Sequence, residues 1–341
     1  MTNFQHANPT GLDAEIIDAH SRPHFIQSAA WARAKTKAGW RSEPRHFELA
    51  DGKVWPVRRY HRAVPAFGTL VHFPRVSGIE VQDIPALTEQ VRAEGGGVAA
   101  KLELHQPKDE ALCAALEAAG WREANATQYQ HTVSIDLSGT AEDITKRLKS
   151  RTRSQVRKAI AAEVEIERAE PDEAMKKLML ELVAETRERS GAFFHPEWYF
   201  RATWDELSAA GQGRFYVAKH NGQVVAAANT ATFGPGAWYK DGGSIRETKD
   251  VFAPQLMHLR IAEDLQKDGH EFYEMGNIPD PEGPKDPSMD GLGQFKRGFM
   301  KETLSFMPSY ELPLDARYNV WPLVERASGS LSHRLKKVSW Y

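Results

Sequence analysis

The sequence contains a single cysteine, Cys113, in 341 residues, which excludes an intramolecular disulfide and a thiolate cluster that could hold zinc or an iron–sulfur centre. It has no apolar run of the roughly 18 residues that a membrane-spanning helix needs. A strong charge of one sign is missing too, because 44 Lys and Arg residues oppose 46 Asp and Glu residues and leave a net charge of −2. Any attraction to a polyanion must therefore be local.

The remaining composition is that of a soluble globular protein, with 41% hydrophobic and 10% aromatic residues. The length predicts two compact units, at roughly 150 residues for each. The first 19 residues carry three acidic side chains and lack the basic and apolar blocks of a secretory signal. Together with the lone cysteine, this predicts a cytoplasmic protein.

The first third of the chain predicts alternating strands and helices. Residues 44–82 form short apolar runs separated by Gly and Pro, which is typical of β structure. A helix is predicted over residues 83–93, a strand over 98–104 and a helix over 108–119. The run Gly95–Gly97 precedes a strand and has no following Lys-Ser or Lys-Thr, so it predicts a helix end and not a phosphate-binding loop.

After a strand at residues 132–137, one long helix is predicted from Ser138 or Thr140 to about Ala162. The rest of this part reads strand, helix, helix, three strands, helix and strand. This order is expected of an acyltransferase-like α/β domain with a mixed sheet. We therefore expect two such domains, the first formed by residues 1–135 plus 308–341 and the second by residues 136–307.

The most unusual composition lies within the predicted long helix. Residues 146–158 contain seven cations and no carboxylate. Such a patch is either a solvated helix face or a binding surface for the phosphates of a polyanion, and the absence of aromatic residues favours phosphates over unstacked bases. The cations are Lys146, Arg147, Lys149, Arg151, Arg153, Arg157 and Lys158.

Several common catalytic and metal motifs are missing. No Gly-x-Ser-x-Gly elbow or His-Glu-x-x-His helix occurs. His20 and His24 have the spacing of metal ligands, but Pro23 between them disfavours a helix, so we expect surface histidines and no metal. Cys113 lies in an apolar helical stripe and is expected to be a buried hydrophobe. By contrast, a Pro- and Gly-rich loop at residues 279–291 leads to Lys296 beside Phe295, a lysine placed to stabilise developing negative charge.

Taken together, the segments in order along the chain resemble the Fem family of non-ribosomal peptidyltransferases, which add amino acids from aminoacyl-tRNA to the peptide stem of peptidoglycan precursors. The resemblance spans nearly the whole chain. It is carried by the segments Phe25–Trp31 with Lys35 and Gly39–Trp40, Thr132–Leu137, Arg151–Ala159, Tyr239 with Gly242–Ser244, Ala253–Ala262, Phe272–Gly276 and Gly291–Phe299.

The resemblance implies a fold and a reaction. The fold would be α/β with mixed sheets, in two tandem acetyltransferase-like domains. The roughly 45 residues between Arg168 and Arg214 leave no room for the helical arm of some members. The reaction would need no metal and no organic cofactor, because an amine of the acceptor attacks the tRNA ester directly, without a covalent enzyme intermediate. The partners would be aminoacyl-tRNA and a UDP-linked or lipid-linked muropeptide precursor.

The resemblance also implies roles for particular residues. Lys296 with Phe295 would act in aminoacyl transfer, Lys35 would contact the phosphates of the precursor, and Glu103 would either receive the proton of the amine or be a surface carboxylate. The remaining residues that we assign to substrate are Trp31, His195, Tyr239 and Ser244, and those that we assign to tRNA are Lys149, Arg151, Arg153, Arg157 and Lys158.

Some points stay open. The family often has an arginine where this chain has His195, and Arg189 or Arg201 would be the substitutes. Three alternatives to the leading function remain: a coenzyme-A-dependent N-acyltransferase, tRNA-dependent aminoacylation of a peptide outside the cell wall, and a non-enzymatic adaptor. The first lacks the usual pyrophosphate loop before residue 254. The basic residues near the C-terminus predict peripheral contact with the inner face of the membrane, with a solvated terminus as the alternative.

Overall fold

A computed structural model describes residues 9–190, 195–245, 250–284 and 287–336. Its helices are α1 (Leu12–Ala19), α2 (Ala29–Lys37), α3 (Ile84–Glu94), α4 (Glu110–Ala118), α5 (Ala141–Arg147), α6 (Ser150–Ala161), α7 (Glu173–Ser190), α8 (Glu197–Ala209), α9 (Ala253–Lys267), α10 (Pro287–Lys296) and α11 (Trp321–Lys336). Short 3-10 helices occur at Phe25–Gln27, Ala50–Gly52, Val81–Asp83 and Ala316–Val320.

The strands of the described residues fall into two sheets. They are β1 (Arg41–Glu48), β2 (Val54–Val64), β3 (Gly68–Val76), β4 (Ala99–Leu104), β5 (Arg122–Ala124), β6 (His131–Asp136), β7 (Glu165–Ala169), β8 (Gly213–His220), β9 (Gln223–Phe233), β10 (Gly236–Ser244), β11 (Phe272–Asn277), β12 (Leu304–Ser305) and β13 (Ser309–Pro313).

The chain divides into two compact units. In the described part, the N-terminal unit comprises residues 9–130, 195–206 and 305–336, and the C-terminal unit comprises residues 131–190, 207–245, 250–284 and 287–304. The sequence-based boundaries placed residues 195–206 in the second domain. The structure groups them with the N-terminal unit, where the Tyr199 hydroxyl lies 3.5 Å from Lys35 Nζ and Arg33 pairs with Glu206 at 2.7 Å.

The sheet of the N-terminal unit has the order β1-β2-β3-β4-β13-β5. β3 and β4 are parallel, and the neighbouring pairs are antiparallel. Its core joins side chains of β1–β4, α3, α4 and β13. Glu80 and Asp83 form a capping box on the 3-10 helix Val81–Asp83, which leads into α3. α3 ends at Gly95, whose φ of 55° suits glycine. The helix end predicted at Gly95 is therefore confirmed.

The sheet of the C-terminal unit has the order β12-β6-β11-β10-β9-β8-β7. It repeats the arrangement of the first sheet, because three antiparallel strands (β8, β9 and β10) are followed by a helix, α9, and by a strand parallel to the third, β11. The core of this unit joins the sheet to α5, α6 and α9. β6 contributes Val133 and Ile135 to this core, and the residues that follow each of them, Ser134 and Asp136, are more exposed.

Two sequence-based predictions for the C-terminal unit differ from the structure. The long helix is broken into α5 and α6, because Leu148 and Lys149 have extended backbone angles (ψ 144° and 149°) and Arg153 donates hydrogen bonds to the freed carbonyl groups of Lys146 and Leu148. The loop predicted to continue to Gly291 becomes helical at Pro287, so Lys296 is the last residue of α10.

Candidate active site

The C-terminal unit has an open cavity of about 930 Å³ at the point where its central parallel strands separate. β10 and β11 pair from Gly236 and Phe272 to Trp238 and Glu274, and no pairing between them follows. β10 is also irregular against β9 beyond Tyr239, where the register shifts. The described residues that line the cavity come from α7, β9, β10, α9 and α10: Glu185, Thr186, Glu188, Ala227, Tyr239, Gly242, Gly243, Ser244, Ile245, Pro254, Gln255, Met257, His258, Leu292 and Phe295.

Two glycines make the wall of this cavity possible. A Cβ atom on Gly242 would lie 2.2 Å from the hydroxyl oxygen of Tyr239, and one on Gly243 would lie 2.3 Å from the carbonyl oxygen of Leu182. Glycine therefore lets the Tyr239 phenol fold back along β10 and lets α7 approach the strand. The predicted substrate residue Ser244 lies next to them in the lining, where its N–H donates to Thr186 Oγ1 at 3.3 Å.

Lys296 lies behind the aromatic wall of the cavity and is 5% exposed. Its ammonium group donates a hydrogen bond to the carbonyl oxygen of Asn277 at 2.8 Å and lies 5.9 Å from the centre of the Tyr239 ring. Within the described residues it has no carboxylate partner. Burial lowers the pKa of Lys296 to about 7, so both its protonated and neutral forms are accessible near neutral pH.

Aromatic residues and one histidine surround Lys296. His258 is buried, and its ring lies 4.6 Å from that of Tyr239 and 5.6 Å from that of Phe295. Burial, assisted by Lys296, lowers the pKa of His258 to about 3, so this ring is neutral; its Nδ1 lies 3.0 Å from the Tyr273 hydroxyl. Burial also raises the pKa of Tyr239. Lys296 is therefore the titratable cation of this cluster near pH 7.

The predicted tRNA-binding helix packs close to this lysine. The N–H of Lys149, at the start of α6, donates to the carbonyl oxygen of Gly298 at 2.9 Å, two residues after Lys296. Thr152, Val156 and Ala159 form the buried face of α6, and the cations are on the outer face.

The cations of α6 differ in how they are engaged. Arg153 binds backbone carbonyl groups, and Lys158 Nζ lies 5.6 Å from the Phe252 ring at the start of α9. Arg151 and Arg157 are exposed, and within the described residues neither makes a side-chain hydrogen bond or an ion pair; the same is true of the less exposed Lys149. These three side chains are the ones best placed to contact phosphate groups.

The N-terminal unit holds a second buried lysine, Lys35, inside a cage of aromatic rings. It is 8% exposed. Its Nζ lies 6.0 Å from the ring centre of Trp31, 5.7 Å from that of Trp40 and 5.5 Å from that of Tyr199, and it donates to the Tyr199 hydroxyl at 3.5 Å. Burial, with a smaller contribution from Arg62, lowers the pKa of Lys35 to about 7.

The surroundings of this cage include a second cation and His195. The guanidinium carbon of Arg62 lies 5.5 Å from the Trp40 ring. The His195 ring stacks on Tyr199, with centres 3.9 Å apart. Of the two arginines considered as substitutes for the family's arginine, Arg201 donates to Glu197 at 2.6 Å, whereas the side chain of Arg189 lies outside the described residues. The structure thus brings His195 and Lys35 to the same aromatic ring.

Glu103 is a buried carboxylate and not a surface one. It accepts hydrogen bonds from His72 Nε2 (2.8 Å), from the N–H and hydroxyl of Thr127 (2.7 and 2.6 Å) and from the Ser309 hydroxyl (2.9 Å). Although burial opposes ionisation, these donors outweigh it and hold the pKa of Glu103 well below its usual range. A carboxylate held in this way is a poor proton acceptor, so the geometry argues against the predicted base role.

The histidines expected at the surface are also buried. His20 is 5% exposed, and its Nε2 lies 2.8 Å from the Pro56 carbonyl oxygen, while burial lowers its pKa to about 4. His24 caps a 3-10 helix by accepting from the N–H of Ile26. The expectation of surface histidines was therefore wrong. No group of three or more potential metal ligands occurs within the described part of the chain.

The predicted site residues thus form two groups. In the C-terminal unit, Phe295, Tyr239 and Ser244 line the cavity and Lys296 lies behind its aromatic wall. In the N-terminal unit, Lys35 lies beside Trp31 and shares the Tyr199 ring with His195. The prediction missed residues that the fold brings close to the two lysines: His258, with Tyr273 hydrogen-bonded to it, near Lys296, and Trp40, Tyr199 and Arg62 near Lys35. Trp40, His258 and Tyr273 stand within the segments that carry the resemblance, and Tyr199 and Arg62 lie outside them. Apart from that resemblance, nothing in the sequence distinguishes His258 from a core residue of α9.

Comparisons with known proteins agree with this architecture. Residues 146–286 match the family model of the acetyltransferase (GNAT) domain. The structure is similar to that of FemX, with a TM-score of 0.78 and 18% identity over 95% of this chain and 98% of FemX. It is also similar to L-PGS from Bacillus licheniformis (TM-score 0.51, 15% identity, 82% of this chain and 87% of that one) and to the C-terminal domain of a candidate lysylphosphatidylglycerol synthetase from Agrobacterium fabrum (TM-score 0.50, 14% identity, 92% and 96%).

These matches confirm the predicted fold class, α/β with mixed sheets in acetyltransferase-like units, and they confirm the resemblance to the Fem family at the level of the fold. The search of curated protein sequences found no match. Among the described residues, no helix is long and apolar enough to cross a membrane.

Proposed function

We propose that this protein transfers an aminoacyl group from aminoacyl-tRNA to an amine in the peptide stem of a peptidoglycan precursor. The observation that carries the proposal is the buried Lys296, without a carboxylate partner among the described residues, beside a cavity large enough for a small-molecule group. The similarity of the fold to FemX supports the same reaction class, and the name of the lysylphosphatidylglycerol synthetase indicates an aminoacyl group joined to a lipid headgroup.

The reaction requires that the ester of aminoacyl-tRNA be held in place and that a nearby group stabilise the negative charge that develops on it. The amine nitrogen of the acceptor forms a bond to the ester carbonyl carbon, the bond from that carbon to the tRNA ribose oxygen breaks, and the proton of the amine ends on that oxygen. Negative charge develops on the carbonyl oxygen in between. Protonated Lys296 stabilises that charge or protonates the leaving oxygen, and a pKa of about 7 allows it to regain the proton.

In this proposal, each of the two units binds one of the two substrates. The outward cations Lys149, Arg151 and Arg157 would bind the tRNA phosphates, and α6 adjoins the loop that follows Lys296. In the N-terminal unit, Lys35 would contact the phosphates of the precursor, whether UDP-linked or lipid-linked, with Trp31 and His195 around it. A cytoplasmic location with contact at the membrane face belongs to the same proposal.

The test is transfer with purified protein. The protein is incubated with total tRNA charged with a pool of amino acids and with both precursor forms, and the product masses are read with and without ribonuclease. A mass gain that ribonuclease abolishes is expected. The variant Lys296→Met should lose it, whereas Lys301→Met, which removes an exposed lysine close by, should keep it. No gain on either precursor, or equal transfer by Lys296→Met, contradicts the proposal.

The match to the acetyltransferase domain model favours one second candidate, an acyl-coenzyme-A-dependent N-acyltransferase. Calorimetric titration with acetyl-coenzyme A separates the two. Saturable binding together with acetylation of an amine would support the second candidate, and absence of binding together with tRNA-dependent transfer would exclude it.

A further inference from the structure

The last helix, α11, presents an outward face whose chemistry is unlike that of its inward face. Its rotation about its own axis is fixed within the N-terminal unit by Trp321, which is fully buried and whose Nε1–H donates to Glu311 at 3.3 Å, and by Glu325, which pairs with Lys101 at 3.3 Å. Because the only carboxylate of the helix, Glu325, points inward, the opposite face carries no acidic residue.

That outward face combines apolar residues with a cation. Leu323 is 68% exposed, more than any other large hydrophobic residue with a described side chain, and Val320 immediately before the helix is 48% exposed. Helical spacing of three and seven residues places Arg326 and Ser330 on the same face as Leu323. Within the described residues, Arg326 makes no ion pair and no side-chain hydrogen bond.

We propose that the outward face of α11 docks on an anionic lipid surface, with Leu323 and Val320 inserted at the headgroup level and Arg326 against a lipid phosphate. An exposed leucine costs free energy in water and gains it in the interface, and each nearby basic residue adds electrostatic attraction to anionic lipids. The net charge of the protein is −2, so any such attraction must be local, and Arg326 is the cation that this face supplies. The inference rests on the membrane contact of the proposed function and not on the transfer reaction.

Sedimentation of the full chain with vesicles tests the inference. One set of vesicles is phosphatidylcholine alone, and the other contains phosphatidylglycerol in addition. Wild-type protein should bind the anionic vesicles, and this binding should weaken as the salt concentration rises. Arg326→Glu changes the local charge by two and should weaken binding about 25-fold, at about fivefold for each charge. Leu323→Ser removes an apolar contact, so it should weaken binding to the same vesicles at low and at high salt.

Two variants elsewhere on the N-terminal unit serve as controls. Arg41→Glu makes the same charge change on an exposed position of β1, and Val81→Ser removes an exposed valine; both should bind like wild type. Absence of wild-type binding to anionic vesicles at low salt, or an equal loss in Arg41→Glu and Arg326→Glu, would overturn the inference. Transfer to a UDP-linked precursor in solution is measured in parallel, so that loss of vesicle binding with intact transfer separates this inference from the proposed function.

Discussion

Replacement of Lys296 by Met should abolish transfer and yet make the folded protein more stable at neutral pH. In the unfolded chain this lysine has its ordinary pKa near 10.5, whereas burial lowers the pKa to about 7 in the fold. Between pH 7 and pH 10.5 the folded state therefore binds fewer protons than the unfolded state. Lys296 thus makes the free energy of unfolding increase with pH over this range. Below pH 7 the full cost of burying the cation is present.

The size of the effect follows from the shift. A difference of about 3.5 pKa units corresponds to roughly 4 to 5 kcal/mol. Met of similar length avoids this cost but leaves the Asn277 carbonyl oxygen without its donor, which costs about 1–3 kcal/mol. The net expectation is a gain of roughly 2 kcal/mol in the free energy of unfolding at pH 6–7, which disappears or reverses at pH 10.

Urea denaturation of wild type and Lys296→Met at pH 6, 7, 8.5 and 10 measures this effect. Lys35→Met provides a comparison, because Lys35 has a similar pKa and should show the same trend. If Lys296→Met is less stable than wild type at pH 6 and the difference does not change up to pH 10, then the pKa of Lys296 is not lowered in the folded state, which contradicts this prediction.

Three further changes have expected outcomes. Gly242→Ala should place a methyl group against the Tyr239 hydroxyl and lower transfer at least tenfold while circular dichroism stays native; normal transfer would show that the phenol moves without consequence. Glu103→Gln should lower the free energy of unfolding by about 2–3 kcal/mol, because an amide cannot accept from all four donors, and leave the pH profile of transfer unchanged; a shifted profile would restore its role as base. Arg151→Glu with Arg157→Glu should weaken tRNA binding and flatten its dependence on salt, measured by filter binding, whereas an unchanged salt slope would place the phosphates elsewhere.

Much of the fold follows from local sequence, as α3 and β6 illustrate. The end of α3 is specified by Gly95, and the alternation in β6 by Val133 and Ile135 facing one core. The break between α5 and α6 is not visible in this way, because Leu148 and Lys149 are compatible with a helix. The extended backbone is stabilised by the hydrogen bonds of Arg153 and by the tertiary contact of Lys149 with Gly298. The spacing of apolar residues indicates which face of a helix or strand is buried, but it does not indicate which distant residues contact that element.

The same limit applies to the candidate site. The position of Lys296 after a Gly-rich stretch indicated a functional lysine, but its burial and lowered pKa depend on Tyr239 and His258, which come from distant segments. The role expected of Glu103 could not be judged from the sequence either. Its donors are 31, 24 and 206 residues away, and only the folded sheet shows that they hold the carboxylate ionised.

The place of β13 in its sheet has a consequence for synthesis of the chain. This strand, at residues 309–313, lies between β4 and β5, whose residues end at 124. Until residues 309–313 have left the ribosome, β4 and β5 have no strand between them, and their facing backbone groups must stay hydrated. The residues of the C-terminal unit are released before β13, so that unit can form its sheet first. We therefore expect the C-terminal unit to fold before the N-terminal unit, although most of the N-terminal unit is synthesised first. During that interval the unpaired edges of β4 and β5 are exposed to misassembly.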